Sequence, residues 1–434
     1  MATHLGVADR LVPLLERVVG VSLPIRVRGW DGSESGPAGA PTILVRSPRA
    51  LRRLLWQPNE LGFGRAYVAG ELDLEGDLYE VLGFLTPLMG KTEGRHVLSA
   101  ADRGELIKTA VVLGAVGPQP KPPPEEAVLS GRRHSRSRDR AAVRHHYDVG
   151  NDFYRIVLGP SLVYSCAYWT APDDPTYTLE DAQRDKLDLI CRKLELRPGM
   201  RLLDVGCGWG SLVIHAAREY GVSAVGVTLS GEQAALARVR AAEAGLSEQV
   251  EIRVEDYRDV ADGPYDAIAS VGMAEHVGTE KYRRYADALY SLLKPAGRLL
   301  NHQIARRPGP RQSRPTFISS YVFPDGELAP VGTTISLLEE AGFEVRDVES
   351  LREHYARTLR RWVANLEAGW EDAVRLTSPG RARVWRVYMA GSALAFEANN
   401  IGVNQIVAVR AMADGRSGMP VTRAAWLGAA SPAR

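Results

Sequence analysis

From residue 176 onward the chain alternates strand-like and helix-like segments, and no other feature narrows its fold so far. A helical run, TLEDAQRDKLDLICRKLEL, precedes the strand MRLLDVG. Helix SLVIHAAREY, strand SAVGVTLS and helix GEQAALARVRAAEAG come next, then strands VEIRVEDY and YDAIASVG. Helix TEKYRRYADALYSLLK, strand GRLLNHQIA, helix TTISLLEEAG and strand FEVRDVESL continue the pattern. Two longer helical runs and a last strand near QIVAVR end it. Such alternation predicts an α/β fold, a doubly wound sheet with helices on both faces.

The first of these strands ends in the most specific local signal. RLLDVGCGWGS, residues 201–211, sets Asp204, Gly206, Gly208 and Gly210 at alternate positions. Glycines there allow a tight turn and let a ligand lie against backbone at a helix N-terminus. The spacing is GxGxG, not the GxGxxG of dinucleotide sites. The next strand ends in VGVTLS, with no acidic residue at its tip to grip a ribose. The loop resembles the S-adenosylmethionine loop of class I methyltransferases. That resemblance implies S-adenosylmethionine as cofactor, with Asp204, Gly206, Cys207 and Gly208 along its methionine half. It also implies Thr228 and Gln233 beside the ribose, and Asp256 and Tyr257, in VEDYRD, beside the adenine.

Further motifs follow one another in order. They are RHHYDVGNDFYRIVLGPSLVYSCAYW (144–169), GCGWGSL, VGVTLSGEQ, EDYRD, SVGMAEHVG (270–278), NHQIA (301–305), YVFPDGELAP (321–330) and EHYARTLRRW (353–362). Together they resemble the cyclopropane-fatty-acyl-phospholipid synthases and mycolic acid cyclopropane synthases, from about residue 143 to the C-terminus. The resemblance implies a seven-stranded, Rossmann-like class I methyltransferase sheet with a helical lid. It implies methyl transfer from the cofactor to the cis double bond of an unsaturated phospholipid acyl chain. The acyl cation so formed must be kept from water, and aromatic faces can stabilise it, until loss of a proton closes a cyclopropane ring. The base in this family is thought to be bicarbonate. By motif its holders are Cys166 in YSCAYW, Glu275 in MAEHVG, His302 and the Ile304 amide in NHQIA, and Tyr355 in EHYARTL. Tyr164 and Ser165 are implied at the carboxylate and ribose end of the cofactor, while Tyr168 and Trp169 are read as packing. The helix beginning at GNDFY is expected over the pocket, within reach of lipid.

One position departs from the family pattern. Ala274 stands where relatives carry phenylalanine before the glutamate, which would remove an aromatic face from the pocket. Relatives in the wider family release a methylene-branched product from the same alkene, and LGFGRAYVAGE resembles theirs. Cyclopropanation is the leading reading, and a methylene-forming C-methyltransferase is the alternative. A methyltransferase of another small molecule ranks below both, since no terminal-strand Asn/Asp-Pro-Pro-Tyr motif is present. A non-catalytic lipid-binding protein is disfavoured by the intact cofactor loop and anion-site positions.

A chain of 434 residues suggests two domains. Residues 1–116 are expected to form a small α+β lipid-binding and docking domain, and 143–434 the catalytic domain. Between them, GPQPKPPPEE and the basic run SGRRHSRSRDRAAVRHH read as an exposed Pro/Arg-rich linker over 117–142. Its Arg132, Arg133, Arg136 and Arg138 would draw the protein to an anionic membrane surface. Net charge is only +2, and no nucleic-acid motif accompanies the run. Three cysteines without CxxC spacing argue against a disulfide framework or a cysteine-rich zinc site, and no metal is expected. The N-terminus lacks a signal-peptide centre, and no segment has the ~18 apolar residues of a membrane span. These features suggest a cytoplasmic protein, peripheral to the inner face of the membrane. The resemblance also implies a homodimer, for which the sequence holds no interface signature.

Overall fold

Short amphipathic segments before residue 128 and long apolar strands after residue 200 build two different sheets. The computed structural model of the chain describes residues 5–90, 99–147, 149–309 and 315–423. It divides into two compact units. One holds residues 1–128, 312–324 and 370–394, the other residues 129–311, 325–369 and 395–434.

The first unit contains a four-stranded sheet in the order β2-β1-β3-β4. Its strands are β1 (Arg26–Arg28), β2 (Glu34–Ser35), β3 (Thr42–Val45) and β4 (Leu72–Glu75). The LGFGRAYVAGELDLEGDL motif forms helix Glu60–Val68 and then β4. Asn59 starts that helix by accepting hydrogen bonds from the amides of Leu61 and Gly62. A side chain at Gly64 would stand 2.3 Å from the Phe317 ring, which explains the glycine in the helix interior.

The second unit carries the predicted sheet, with seven strands in the order β10-β11-β9-β8-β5-β6-β7. These are β5 (Arg201–Val205), β6 (Ser223–Thr228), β7 (Val250–Val254), β8 (Tyr265–Val271), β9 (Leu293–Arg306), β10 (Glu344–Ser350) and β11 (Ile401–Val409). Only β11 runs antiparallel to its neighbours. Side-chain alternation sends successive residues to opposite faces, and both faces are covered. Leu202, Ala267, Leu300 and Val407 belong to one core with helices Leu179–Leu194, Ser211–Tyr220 and Gly231–Glu243. Leu203, Ile268, Leu299 and Ile406 belong to a second core with helices Thr279–Leu292 and Val331–Glu340.

The boundary between the units, after Val128, falls inside the linker expected over 117–142, and residues 117–135 hold no helix or strand, but the rest of that linker is helical. Residues 117–128 belong to the first unit, and the basic run folds into the second, mostly as helix Arg136–Tyr147. Its charges have internal partners: Arg138 binds both Asp325 oxygens at 2.6 and 3.0 Å, and Arg133 joins them at 3.3 Å. Arg136 pairs with Asp259 at 2.8 Å. The run looked solvated because its counter-charges lie more than a hundred residues away. Two further expectations touch residues outside the described set: Asp148 of the HHYDVG motif, and the chain end beyond residue 423. Among the described residues no helix is long and apolar enough to cross a membrane.

Candidate active site

Strand order reverses between β5 and β8, which opens a crevice at their C-terminal ends, where open α/β sheets bind ligands. A cavity of about 170 Å³ lies there. Its lining includes all ten residues expected at the cofactor: Tyr164, Ser165, Asp204, Gly206, Cys207, Gly208, Thr228, Gln233, Asp256 and Tyr257.

The β5 loop owes its shape to backbone. The amides of Gly206 and Cys207 both donate to the Val227 carbonyl, at 2.9 and 3.0 Å, which folds the loop over β6. Gly206 has φ +87°, and a β-carbon there would approach Met273 Cγ to 3.1 Å. Thr228 ends β6 and donates to Gln233 Oε1 at 2.9 Å, joining the two residues expected at the ribose. At the other end Arg258 donates to both Asp256 oxygens, at 2.7 and 2.5 Å, and to Asp139 at 3.2 Å. Burial works against the Asp256 charge, yet the hydrogen bonds and charge of Arg258 hold its carboxyl below the usual range.

The segment carrying Tyr164 and Ser165 is clamped to helix Arg352–Ala368. The Trp169 amide donates to His354 Nδ1 at 2.9 Å, and the Ala167 amide to Thr358 Oγ1 at 3.2 Å. Trp169 Nε1 also reaches Thr358 Oγ1, at 3.1 Å, so this indole serves packing as expected. The helix Asn151–Leu158 turns inward: Phe153, Tyr154, Val157 and Leu158 are buried, and Asn151 accepts from the cavity-lining Trp209 at 2.7 Å. Its aromatic rings are therefore packed inside the second unit.

None of Cys166, Glu275, His302, Ile304 and Tyr355 lines the cavity, but the chain around Glu275 does, through Val271, Gly272, Met273, His276 and Val277. Four of the five are tied together by hydrogen bonds on either side of the β9–β11 register. Glu275 Oε1 accepts from the Ile304 amide at 2.7 Å. Ile304 pairs with Val403 across β9 and β11, and the Val403 carbonyl accepts from the Leu351 amide at 2.9 Å. The Leu351 carbonyl in turn accepts from the Tyr355 amide at 3.1 Å and the Cys166 thiol at 3.6 Å. His302 sits two residues before Ile304 on the same strand face, and its carbonyl accepts from the Gly272 amide at 2.8 Å.

Burial sets the protonation of these groups. It pushes Glu275 up to about 7, against the pull of the Ile304 amide. It drives His302 well below its usual value, helped by the charges of Lys186 and Lys193, so the ring is neutral. The Cys166 thiol is pushed well up and stays protonated. Glu275 Oε2 and both His302 ring nitrogens are buried without a hydrogen-bond partner. Ala274 is 4 % exposed and belongs to the core of Leu203, Val205 and Tyr285. Its small side chain fills core space there, next to the cavity-lining Met273.

Sequence reasoning missed Lys186. It lines the cavity, is 2 % exposed, and donates to Ser165 Oγ at 2.9 Å. The signal was present: in helix Leu179–Leu194 this lysine falls on the buried stripe with Gln183, Leu187 and Ile190. Asp139 and Arg258 were missed as a cavity-lining pair because their contact is not local.

Residues 134–406 match the family described as mycolic acid cyclopropane synthetase. A probable fatty acid methyltransferase of Mycobacterium tuberculosis is 41% identical over 411 residues, covering 92% of this chain and 94% of its own. The cyclopropane-fatty-acyl-phospholipid synthase of Escherichia coli K12 is 40% identical over 272 residues, 63% of this chain and 68% of its own. Among solved structures, a mycolic acid cyclopropane synthase complexed with SAH and CTAB aligns with 62% of this chain and 97% of its own. Identity there is 36% and the TM-score 0.58.

Proposed function

The chain belongs to the mycolic acid cyclopropane synthetase family and is an S-adenosylmethionine-dependent methyltransferase, and from that premise we propose its reaction. It methylates the cis double bond of an unsaturated fatty acyl chain of a phospholipid and closes the product to a cyclopropane ring. The observation that carries this reading is the Glu275 segment: it forms a wall of the cofactor cavity while its carboxylate is held against Ile304.

The ten cavity residues suit S-adenosylmethionine, and Asp204 Oδ1 is a buried acceptor without a partner. When bound, that cofactor supplies an electrophilic sulfonium methyl. Gly206 and Gly208 keep the loop low enough for a ligand to lie on backbone. Tyr147, Tyr164 and Trp209 line the same cavity, and their ring faces can stabilise positive charge on an acyl chain. Cys166, Glu275, His302, Ile304 and Tyr355 are proposed to hold bicarbonate. Neutral His302 and the protonated thiol offer donors, and the unpartnered Glu275 oxygen suits a small protonated anion. Bicarbonate there would supply a small general base. Glu275, near 7, can take up or release a proton at neutral pH.

The first unit is proposed to dock lipid at an anionic membrane, with exposed apolar side chains at Trp56, Ile107, Val111, Val112 and Val116. A second reading ends in a methylene-branched acyl chain, by proton loss from a neighbouring carbon. It is favoured by coverage: the relative named a fatty acid methyltransferase matches 92% of this chain, the cyclopropane synthase 63%.

The test is mass spectrometry and proton NMR of lipids from cells making this protein beside monounsaturated phospholipid. A mass gain of one methylene with high-field ring protons is the expected result. Vinylidene protons at the same mass would select the second reading, and unchanged lipids would reject both.

A further inference from the structure

Lys186 is a buried cation that closes no ion pair among the described residues, although the Asp204 carboxyl on the same cavity acts on its charge at longer range. It is 2 % exposed, its ammonium donates to Ser165 Oγ at 2.9 Å, and among the described residues no carboxylate lies within ion-pair distance. Asp204 faces the same cavity, is 2 % exposed and has no hydrogen-bond partner at Oδ1; burial pushes its carboxyl up to about 7 against the pull of the Lys186 charge. A charge this far from water is costly unless something of opposite sign comes close. Lys193, two turns along the same helix, shows the usual solution, with Glu349 and Gln405 at its ammonium. Lys186 has only a hydroxyl, and that hydroxyl faces a ligand cavity.

The hydrogen-bond directions then follow. The Lys186 ammonium has donors only, so Ser165 Oγ must accept from it. The Ser165 hydroxyl hydrogen is left to donate elsewhere, and Ser165 lines the cavity. We propose that Lys186 is a positioning residue for the α-carboxylate of the cofactor. It aims the Ser165 hydroxyl at that carboxylate and supplies its counter-charge from below, while Asp204 Oδ1 faces the neighbouring α-ammonium. This rests on the reading of the cavity as the S-adenosylmethionine site. Burial draws the Lys186 ammonium down to about 8, which leaves it mostly charged at neutral pH.

The experiment is calorimetric titration with two probes, S-adenosylhomocysteine and its decarboxylated analogue. Lys186→Met keeps an apolar chain of similar length. It should weaken S-adenosylhomocysteine by about tenfold or more, the usual effect of losing a charge-assisted hydrogen bond, and the decarboxylated probe by under about twofold. Ser165→Ala should show the same selectivity, and the double variant should lose less than the sum of the two single losses. Equal losses for both probes, or no loss, would overturn the proposal. If the Lys186 variant does not fold, the selectivity of Ser165→Ala decides alone. Failure of the unaltered protein to bind S-adenosylhomocysteine would instead reject the cofactor reading, and the proposal with it.

Discussion

The amide of Ile304 donates to Glu275 Oε1 over 2.7 Å, and the other oxygen of that carboxylate is buried with no hydrogen-bond partner. A strand amide thus fixes a carboxylate whose second oxygen is free to handle a proton. Glu275→Gln keeps the shape and removes that capacity. We expect kcat to fall by about 10²- to 10⁴-fold, with S-adenosylhomocysteine affinity within about threefold. Single-turnover rates and calorimetry check this; a variant with near-normal kcat would remove Glu275 from the proton path.

The same carboxyl shapes stability against pH. Its folded-state value is raised from 4.5 to about 7, so between those values the folded state holds more protons than the unfolded one. Stability must therefore fall as pH rises through that window, by on the order of 3 kcal/mol for this group. Urea midpoints at pH 5 and pH 7.5 should differ less for Glu275→Gln than for the unaltered protein. Activity should rise over the same window, because the deprotonated form is the one that accepts a proton.

Gly206 combines φ +87° with a 3.1 Å approach of any β-carbon to Met273 Cγ. Gly206→Ala should lower stability by about 1–2 kcal/mol and weaken the cofactor by about tenfold. Thermal unfolding and calorimetry on one preparation read both effects.

Arg138 grips Asp325, whose side chain is 5 % exposed, from the run once expected to be a free linker. Arg138→Ala leaves that carboxylate with Arg133 alone and should destabilise by about 1–2 kcal/mol. Adding Asp325→Asn should recover part of the loss. A variant of normal stability but impaired vesicle binding would return Arg138 to the membrane role.

Ala274 sits in a packed core, so Ala274→Phe should act through overpacking. We expect a loss of about 1–3 kcal/mol and no change in the ratio of ring to methylene products. A shifted ratio in the NMR spectrum would put this position at the acyl chain after all.

The strands and the glycine turn were legible because their signals are local. The short apolar run of β5, buried along nearly its whole length, and the GxGxG spacing need only neighbours in sequence, and the residues expected at the cofactor do line one cavity. The motif at Cys166 says nothing of what the thiol meets in the fold. Besides its neighbour's carbonyl at Ala167, it meets the carbonyl of Leu351, 185 residues away, which also accepts from the Tyr355 amide.

The sequence by itself determined the periodicities, the turn chemistry and which side chains could carry a proton. Only the tertiary structure decided that Arg133, Arg136 and Arg138 meet acidic partners and that Ala274 belongs to the core. The same holds for Lys186, which meets Ser165 but no carboxylate. The reason is physical: periodicity is set by the geometry of a few adjacent residues. Burial and charge depend on which distant segment arrives beside them, and that partner sets both the dielectric and the counter-charge.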